Sequence, residues 1–324
     1  MADQILGAYT LEHCAPLVAD HALERKDLST ISLSAFTGLT LPVRSHVMAP
    51  ILPERGLAMI YAGRGVGKTY VCMGLAWAVC CGAPFLKWQA SAPRRVLYVD
   101  GEMPQELMQE RAREMMAASA HQPPGEDYFQ LVSMDRQPLG TSLNLARAED
   151  QQRLEGCLGG ASLLILDNVS TLVNGGREND ADSWDSMQSW LLHLRRRGVC
   201  VLLVHHTGRG DNARGTSKRE DVLDTVIHLK RPEDYEAEEG ARFEVHLTKA
   251  RGVFGDDALP FEAKLQKIDG KDHWTCLTLQ DRTLEQVEEL TREGKSVREI
   301  AEELGLSKSK VNRLQIRSKA EGRV

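Results

Sequence analysis

The sequence predicts an α/β protein in which a central, mostly parallel sheet precedes a small all-α module. Short apolar runs with the length of buried strands recur between residues 57 and 248, and helix-period segments separate several of them. From about Leu277 onward the strand-like runs stop and three short helical segments follow. A chain of 324 residues has room for both parts. We predict an N-terminal arm (1–48), a core domain (49–278) and a helical domain (279–324).

The composition is that of an ordinary globular protein. Hydrophobic residues make up 42% and charged residues 27% of the chain, and no apolar run approaches membrane-spanning length. Residues 1–4 include an acid instead of the basic start of a secretion signal, so we expect a cytoplasmic protein without membrane contact. The seven cysteines form no C-x-x-C pair, which argues against a zinc site or a disulfide framework. Because the formal charge is −6, contact with nucleic acid must come from local basic clusters.

A glycine-rich turn follows the first apolar run and ends in Gly-Lys-Thr. Apolar residues at helical spacing come next, which gives the order strand, loop, helix of a phosphate-binding loop. Glycines let the backbone aim several N–H groups at one anion. The first position holds Ala62 where the consensus has glycine, and a chance Gly-Lys-Thr in an ordinary turn is the alternative. The predicted loop, which would bind a nucleoside triphosphate, consists of Ala62, Gly63, Arg64, Gly65, Val66, Gly67, Lys68 and Thr69.

Polar residues end three further predicted strands, at the sheet edge where ligands of parallel sheets bind. Asp167 ends an apolar run, as does the magnesium-holding Asp of the second nucleotide-site motif, although such a run also occurs by chance. Glu102 follows another run and could reach a bound triphosphate; a carboxylate at a helix start is the alternative. His205 and His206 end a third run. Because adjacent strand residues point to opposite faces, a sensor of the γ-phosphate fits this position better than a shared metal ion.

Two basic segments lie farther along the chain. The glycine-rich segment 207–220 suits a flexible loop that touches a polyanion, with an ordinary solvated loop as the alternative. Lys249 and Arg251 close the strand-like run 243–248, which suggests a finger that reaches the triphosphate of the next subunit. The basic residues of the glycine-rich segment are Arg209, Arg214, Lys218 and Arg219.

The C-terminal segment has the pattern of a helix-turn-helix. Ser296 and Glu299 have the spacing of a capping box that opens the second helix, and Gly305 marks the turn into the third. Positive residues concentrate on this third helix, whose first residues would enter a major groove. A small helical protein-interaction module is the alternative. The predicted DNA contacts here are Lys308, Lys310 and Arg313.

The order and spacing of these motifs resemble the RepA-type branch of RecA-like ATPases, which includes hexameric replicative helicases of plasmids and related mobile-element proteins. The resemblance covers roughly residues 52–277. The C-terminal segment resembles resolvase-type helix-turn-helix domains. The motifs that carry the resemblance are Gly-Lys-Thr at 67–69, Tyr-Val-Asp-Gly-Glu-Met-Pro at 98–104, Leu-Asp-Asn at 166–168, Val-His-His at 204–206 and Lys-Ala-Arg-Gly at 249–252.

The resemblance implies a role for individual residues. Glu102 would polarise the attacking water as general base, Asp167 would assist magnesium beside Thr69, and His206 would sense the γ-phosphate. Lys249 and Arg251 would act across a subunit interface. The family often has a second acid at the position that Asn168 occupies here.

The expected activity is therefore magnesium-dependent hydrolysis of ATP by a protein that acts on DNA. The resemblance favours an oligomeric helicase or translocase, with a hexameric ring that contacts single strands through its core and duplex DNA through its C-terminal module. A DNA-binding regulator or adaptor without motor activity, in which ATP only switches the oligomeric state, is the alternative. ATP and Mg²⁺ are the expected cofactors.

Overall fold

A computed structural model describes residues 28–41, 43–173, 181–207 and 220–320. The chain divides into two compact units, residues 1–43 and 44–324. In the first unit a short helix, α1 (Leu33–Thr37), begins after Ser32, whose hydroxyl accepts a hydrogen bond from the backbone N–H of Ala35. Residues 1–27 of the predicted N-terminal arm lie outside the described residues.

The second unit contains the remaining strands and helices of the described chain. Two short ribbons pair β1 (His46–Met48) with β2 (Leu52–Pro53), and β4 (Pro84–Phe85) with β5 (Trp88–Gln89). The strands of the main sheet are β3 (Leu57–Ala62), β6 (Val96–Asp100), β7 (Phe129–Ser133), β8 (Leu163–Asp167), β9 (Cys200–His206), β10 (Thr225–Lys230), β11 (Arg242–Ala250), β12 (Phe261–Ile268) and β13 (Lys271–Thr278). The helices around this sheet are α2 (Lys68–Cys81), α3 (Gln105–Ala118), α4 (Ala148–Glu155), α5 (Val169–Leu172) and α6 (Ala181–Arg196).

The described strands of the main sheet lie in the order β13-β12-β11-β10-β3-β9-β8-β6-β7. The six strands from β10 to β7 are parallel, and β11, β12 and β13 extend the sheet antiparallel to its neighbours. This confirms the predicted α/β class with a mostly parallel sheet. β9 lies between β3 and β8. The carboxyl ends of β3, β6, β8 and β9 therefore meet at one edge.

The central strands are buried on both faces, which explains their continuous apolar runs. Ala58 and Ile60 of β3 face the core beneath α2, whereas Leu57 and Met59 face the core beneath α6. The same alternation sorts every polar residue at the strand ends onto one face or the other. Helix α6 covers its face with Trp184, Met187, Trp190, Leu191 and Leu194.

Three strands of the main sheet, β7, β12 and β13, were not predicted because they have no continuous apolar run. β7 lies at one edge of the sheet, and most of its residues are partly or fully exposed. β12 and β13 form a hairpin in which Ile268 pairs with Lys271 across a two-residue turn. Asp269 and Gly270 both have positive φ, 50° and 76°, as the Asp-Gly turn of such a hairpin requires.

Three C-terminal helices follow β13: α7 (Leu279–Arg292), α8 (Val297–Glu303) and α9 (Lys308–Ala320). The predicted capping box is present, because Ser296 and Glu299 each accept a backbone hydrogen bond from the other. The helices share a small core in which Val287, Ile300, Ala301 and Val311 are buried. No helix in the described ranges has both the length and the apolar character that crossing a membrane requires.

Arginine side chains fasten α7 to the sheet. Arg282 pairs with Glu262 at 2.9 Å, with Glu244 at 3.1 Å and with Asp234. Arg242 of β11 also pairs with Asp234 and Glu262, both at 3.1 Å. Asp234 belongs to the connection between β10 and β11, so this cluster joins that connection, the sheet and the first C-terminal helix.

Candidate functional site

The loop between β3 and α2 needs glycine at two positions. Gly65 and Gly67 have φ of 73° and 123°, in the region that side chains disfavour. A Cβ at Gly67 would also lie 3.1 Å from the ring of Phe243. Gly67 caps α2, so the first backbone N–H groups of this helix face the same space as the loop. The predicted phosphate loop therefore has the required backbone, with an anion-attracting helix start behind it.

Lys68 is buried in the centre of this loop, with 6% of its surface exposed. Its ammonium donates hydrogen bonds to the carbonyls of Ala62 at 3.0 Å and Gly63 at 2.8 Å. Burial lowers the pKa of Lys68 to about 8, against the opposing attraction of Asp167. The ammonium of Lys68 is thus poorly solvated, and its hydrogen bonds to the two carbonyl oxygens can be replaced by hydrogen bonds to phosphate oxygens.

The second residue of α2 contacts the acid at the end of β8. The hydroxyl of Thr69 lies 3.1 Å from Oδ2 of Asp167, and the hydroxyl of Tyr98 donates to the same oxygen at 2.6 Å. Residues two apart on a strand share a face, so Asp167 lies on the same face of β8 as Leu163 and Ile165, which pack beneath α2. Burial raises the pKa of Asp167. Tyr98 was not predicted as a site residue, although strand alternation places it on the sheet face beneath α2, with Leu163 and Ile165.

The site suits a magnesium ion that arrives with its phosphates. In the described part of the chain, no group of three or more His, Cys, Asp or Glu residues could hold a metal. Mg²⁺ in nucleotide sites keeps several waters and takes one or two carboxylates plus phosphate oxygens. The adjacent oxygens of Thr69 and Asp167 match that requirement, so these residues fit the predicted ion.

Three polar side chains meet at the ends of β6, β8 and β9. Nδ2 of Asn168 donates to Oε2 of Glu102 and lies 3.1 Å from Nε2 of His206. His206 Nε2 is 3.3 Å from the same Glu102 oxygen. His205 points to the opposite face and is buried, so the two histidines are separated as expected. The structure thus brings the predicted base and the predicted sensor together, and Asn168, for which no role was predicted, contacts both of them.

Two further residues shape the site without having been predicted. Asp100, 2% exposed, accepts a hydrogen bond from the backbone of Met103 at 3.0 Å and so closes the turn that carries Glu102. Burial raises the pKa of Asp100 to about 6. Arg231, just after β10, donates to the carbonyl of Gly65 at 3.1 Å. A strand-end arginine 166 residues from its partner carries no local signal, whereas Asp100 shares a strand face with Tyr98 and was accessible to the period-two pattern.

One cavity of about 340 Å³ lies between α2, the turn after β6 and the ends of β8 and β9. A second cavity continues from the loop, between Tyr70 and Arg111 on one side and Tyr235 on the other. The guanidinium of Arg111 stacks 4.4 Å above the ring of Tyr70. The two spaces together offer a charged end for phosphates and a flatter, partly aromatic end. The residues that line the first cavity include Gly67, Lys68, Thr69, Asp100, Glu102, Asp167, Asn168 and His206.

Lys249 and Arg251 are remote from this cavity within the chain. Lys249 pairs with Val226 at the start of β10, whereas Ala62 before the loop pairs with Leu229. Three residues of strand separate these levels by about 10 Å. Both side chains donate to backbone carbonyls of the segment that precedes β10, including that of Asp221. Their role in a neighbouring subunit's site stays a prediction.

The predicted DNA contacts divide into two groups. Arg209, Arg214, Lys218 and Arg219 lie outside the described residues. Lys308, Lys310 and Arg313 are exposed on α9, whereas Val311 of the same helix is buried. Their contact with DNA stays a prediction.

Comparison with known proteins agrees with the site. A family model described as an AAA domain matches residues 20–212, more than half of the chain. Similar solved structures include a KaiC-like protein from the hyperthermophilic archaeon Pyrococcus horikoshii OT3, 13% identical, with a TM-score of 0.45 over 69% of this chain and 90% of that one. The search of curated proteins found no match. The extent of the family match shows that the chain belongs to the AAA domain family of P-loop ATPases.

Proposed function

We propose that this protein is a magnesium-dependent ATP hydrolase that works on DNA, most simply as a RepA-like oligomeric helicase or translocase. One observation carries the hydrolase part of the proposal. A buried lysine, a hydroxyl paired with a buried acid, and a carboxylate next to a histidine converge on a single cavity. Binding alone would need the lysine and the hydroxyl, but not a half-exposed carboxylate at the far end.

Each residue has a distinct task in the reaction. Lys68 transfers its hydrogen bonds from the loop carbonyls to the β- and γ-phosphates, and Thr69 with Asp167 holds the magnesium ion. The ion, when bound, neutralises charge that develops on the phosphate oxygens. Glu102 accepts a proton from water as the water oxygen bonds to the γ-phosphorus and the bond to ADP breaks, giving ADP and inorganic phosphate.

We infer that the active site is completed by a second subunit. Lys249 and Arg251 cannot reach the cavity of their own chain, since they lie at the opposite end of β10. Both are already held at a strand end by backbone carbonyls. An arginine that a neighbouring subunit supplies in this way stabilises the charge on the γ-phosphoryl group in the transition state. A closed ring, hexameric in the RepA-type relatives, would satisfy this requirement at every site.

The regulator alternative is supported by a specific set of contacts. Arg231 touches the phosphate loop at Gly65, and Asp234 in the same connection pairs with Arg282 of α7. Through these contacts, nucleotide binding at the phosphate loop would change the position of the C-terminal helices without any movement along DNA. Stimulation of hydrolysis by single-stranded DNA separates the two functions, because a motor requires it and a switch does not.

The test compares two substitutions with a matched control. Lys68→Ala should abolish hydrolysis and weaken nucleotide binding, whereas Glu102→Gln should bind ATP and stop before hydrolysis. Glu106→Gln removes a nearby exposed carboxylate from the start of α3 and should leave turnover unchanged. Affinity is measured with a fluorescent ATP analogue and turnover by phosphate release, with and without single-stranded DNA. Unchanged turnover in Glu102→Gln would remove Glu102 from the role of base.

A further inference from the structure

The amide of Asn168 is held in one orientation from both ends. Its Oδ1 accepts a hydrogen bond from the backbone N–H of Thr171 at 3.3 Å and so caps α5. Its Nδ2 therefore points into the cavity and donates to Glu102. Exchanging the two amide atoms would remove the cap and put an oxygen against a carboxylate, so the contacts themselves fix the orientation.

The two partners in this hydrogen bond differ in freedom. Asn168 is 2% exposed, whereas 56% of the Glu102 side chain is exposed. Within the described residues, the carboxylate of Glu102 is contacted by Asn168 and His206. A long exposed side chain without such an anchor samples many rotamers and is seldom aimed at one point. The buried amide therefore supplies the rigidity that Glu102 lacks.

The same amide nitrogen also affects the histidine. Nδ2 of Asn168 has two hydrogens, and with one on Glu102 the other faces Nε2 of His206 at 3.1 Å. A neutral ring that accepts this hydrogen carries its own proton on Nδ1. A ring protonated at Nε2 would instead donate to Glu102, 3.3 Å away, and would occupy the carboxylate. Nδ1 of His206 is buried and has no hydrogen-bond partner among the described residues, so the contacts of Asn168 fix where Glu102 and His206 lie and leave the position of the ring proton open.

We propose that Asn168 is a positioning residue for hydrolysis, which aims the Glu102 carboxylate and holds it beside His206. This inference rests on the proposed ATP hydrolysis. It accounts for an amide at the position where the related ATPases often have a second acid. An acid there could cap α5 equally well, but it could not donate to Glu102.

Three substitutions separate positioning from helix capping. Asn168→Ser keeps a capping oxygen and loses both amide hydrogens, Asn168→Asp keeps shape and cap but reverses donor to acceptor, and Asn168→Ala loses everything. We expect the Ser and Asp variants to melt within a few degrees of the wild type and to bind nucleotide within about twofold, yet to lose about a hundredfold in kcat, the scale of a misplaced reacting group.

A second readout needs no turnover. In nucleotide-free protein, the ¹⁵N shifts of the His206 imidazole should differ between the wild type and the Ser and Asp variants, because both variants lose the amide hydrogens that face Nε2. Wild-type kcat in Asn168→Ser, or the same imidazole shifts in all proteins, would reduce Asn168 to a helix cap and overturn the proposal. A wild-type protein that binds ATP but never hydrolyses it would overturn the proposed function and this role together, while the imidazole shifts would still report whether the contact exists.

Discussion

Nucleotide affinity should fall as the pH rises through 8, because of the buried lysine in the phosphate loop. Without nucleotide, Lys68 has a pKa of about 8 and its ammonium faces two carbonyls. A bound triphosphate replaces them with several negative charges, which favour the protonated form and raise the pKa. Binding is then linked to proton uptake, and its sign is fixed: the complex needs a proton that the free protein progressively lacks above pH 8.

The magnitude follows from the difference between the two pKa values. With a free pKa of about 8, roughly a tenth of Lys68 is neutral at pH 7 and roughly nine tenths at pH 9, if the complex stays protonated throughout. The dissociation constant should therefore rise about tenfold between these pH values and change little below pH 7. The phosphates of ATP are already ionised over this range, so they add little slope.

The assay is calorimetric titration of ATP without magnesium, repeated at pH 8 in two buffers with different heats of ionisation. Wild-type protein should take up about half a proton per nucleotide at this pH. Lys68→Arg provides the matched control, because its guanidinium stays charged and its affinity should be flat across the range. An equal slope in wild type and Lys68→Arg, or no proton uptake by the wild type, would show that Lys68 is not the linked group.

Other predictions address packing, assembly and the C-terminal helices. Gly67→Ala should destroy nucleotide binding without unfolding the protein, as judged by circular dichroism, because its Cβ would press on Phe243 at a disfavoured φ. Arg251→Ala should keep ATP affinity but lose about a thousandfold in turnover, and mixing it with the phosphate-loop lysine variant should restore some activity; co-assembly without recovery would exclude a shared site. Replacing the three basic residues of α9 by Ala should abolish duplex binding in anisotropy titrations and spare basal hydrolysis, and a loss of both would point to a structural role. Those residues are Lys308, Lys310 and Arg313.

The parts of the fold that sequence predicts are those with a local physical signature. A strand buried on both faces must be apolar throughout, so β3, β8 and β9 were visible as runs, and Gly67 was visible because its conformation excludes side chains. Most residues of β7 are partly or fully exposed, and the strand lies at a sheet edge, so it has no buried apolar run. Asp269 and Gly270 carry the Asp-Gly signal of a hairpin turn, but the segments on either side lack the apolar runs that would predict strands.

The candidate site divides in the same way. Lys68 and Thr69 lie in a motif whose spacing reflects one strand, loop and helix, and Asp167 ends an apolar run that is itself a local signal. The hydrogen bond from Asn168 to Glu102 spans 66 residues, and that from Arg231 to Gly65 spans 166. Such contacts depend on which strands become neighbours in the sheet, and strand order is a property of the whole core. The sequence could therefore predict which residues lie at the edge of the sheet, but not which of them contact each other.

The junction between sheet and C-terminal helices has a mechanical consequence. β13 ends at Thr278, whose hydroxyl caps α7 by accepting a hydrogen bond from the backbone N–H of Asp281 in the first turn. The described chain therefore has no linker between β13 and α7. Arg282 then clamps α7 against Glu244 and Glu262. A flexible tether would let the helices search a wide volume and would transmit almost no torque. The direct junction and these ion pairs fix α7 to the sheet, so we expect any rotation of that edge of the sheet to rotate α7 with it.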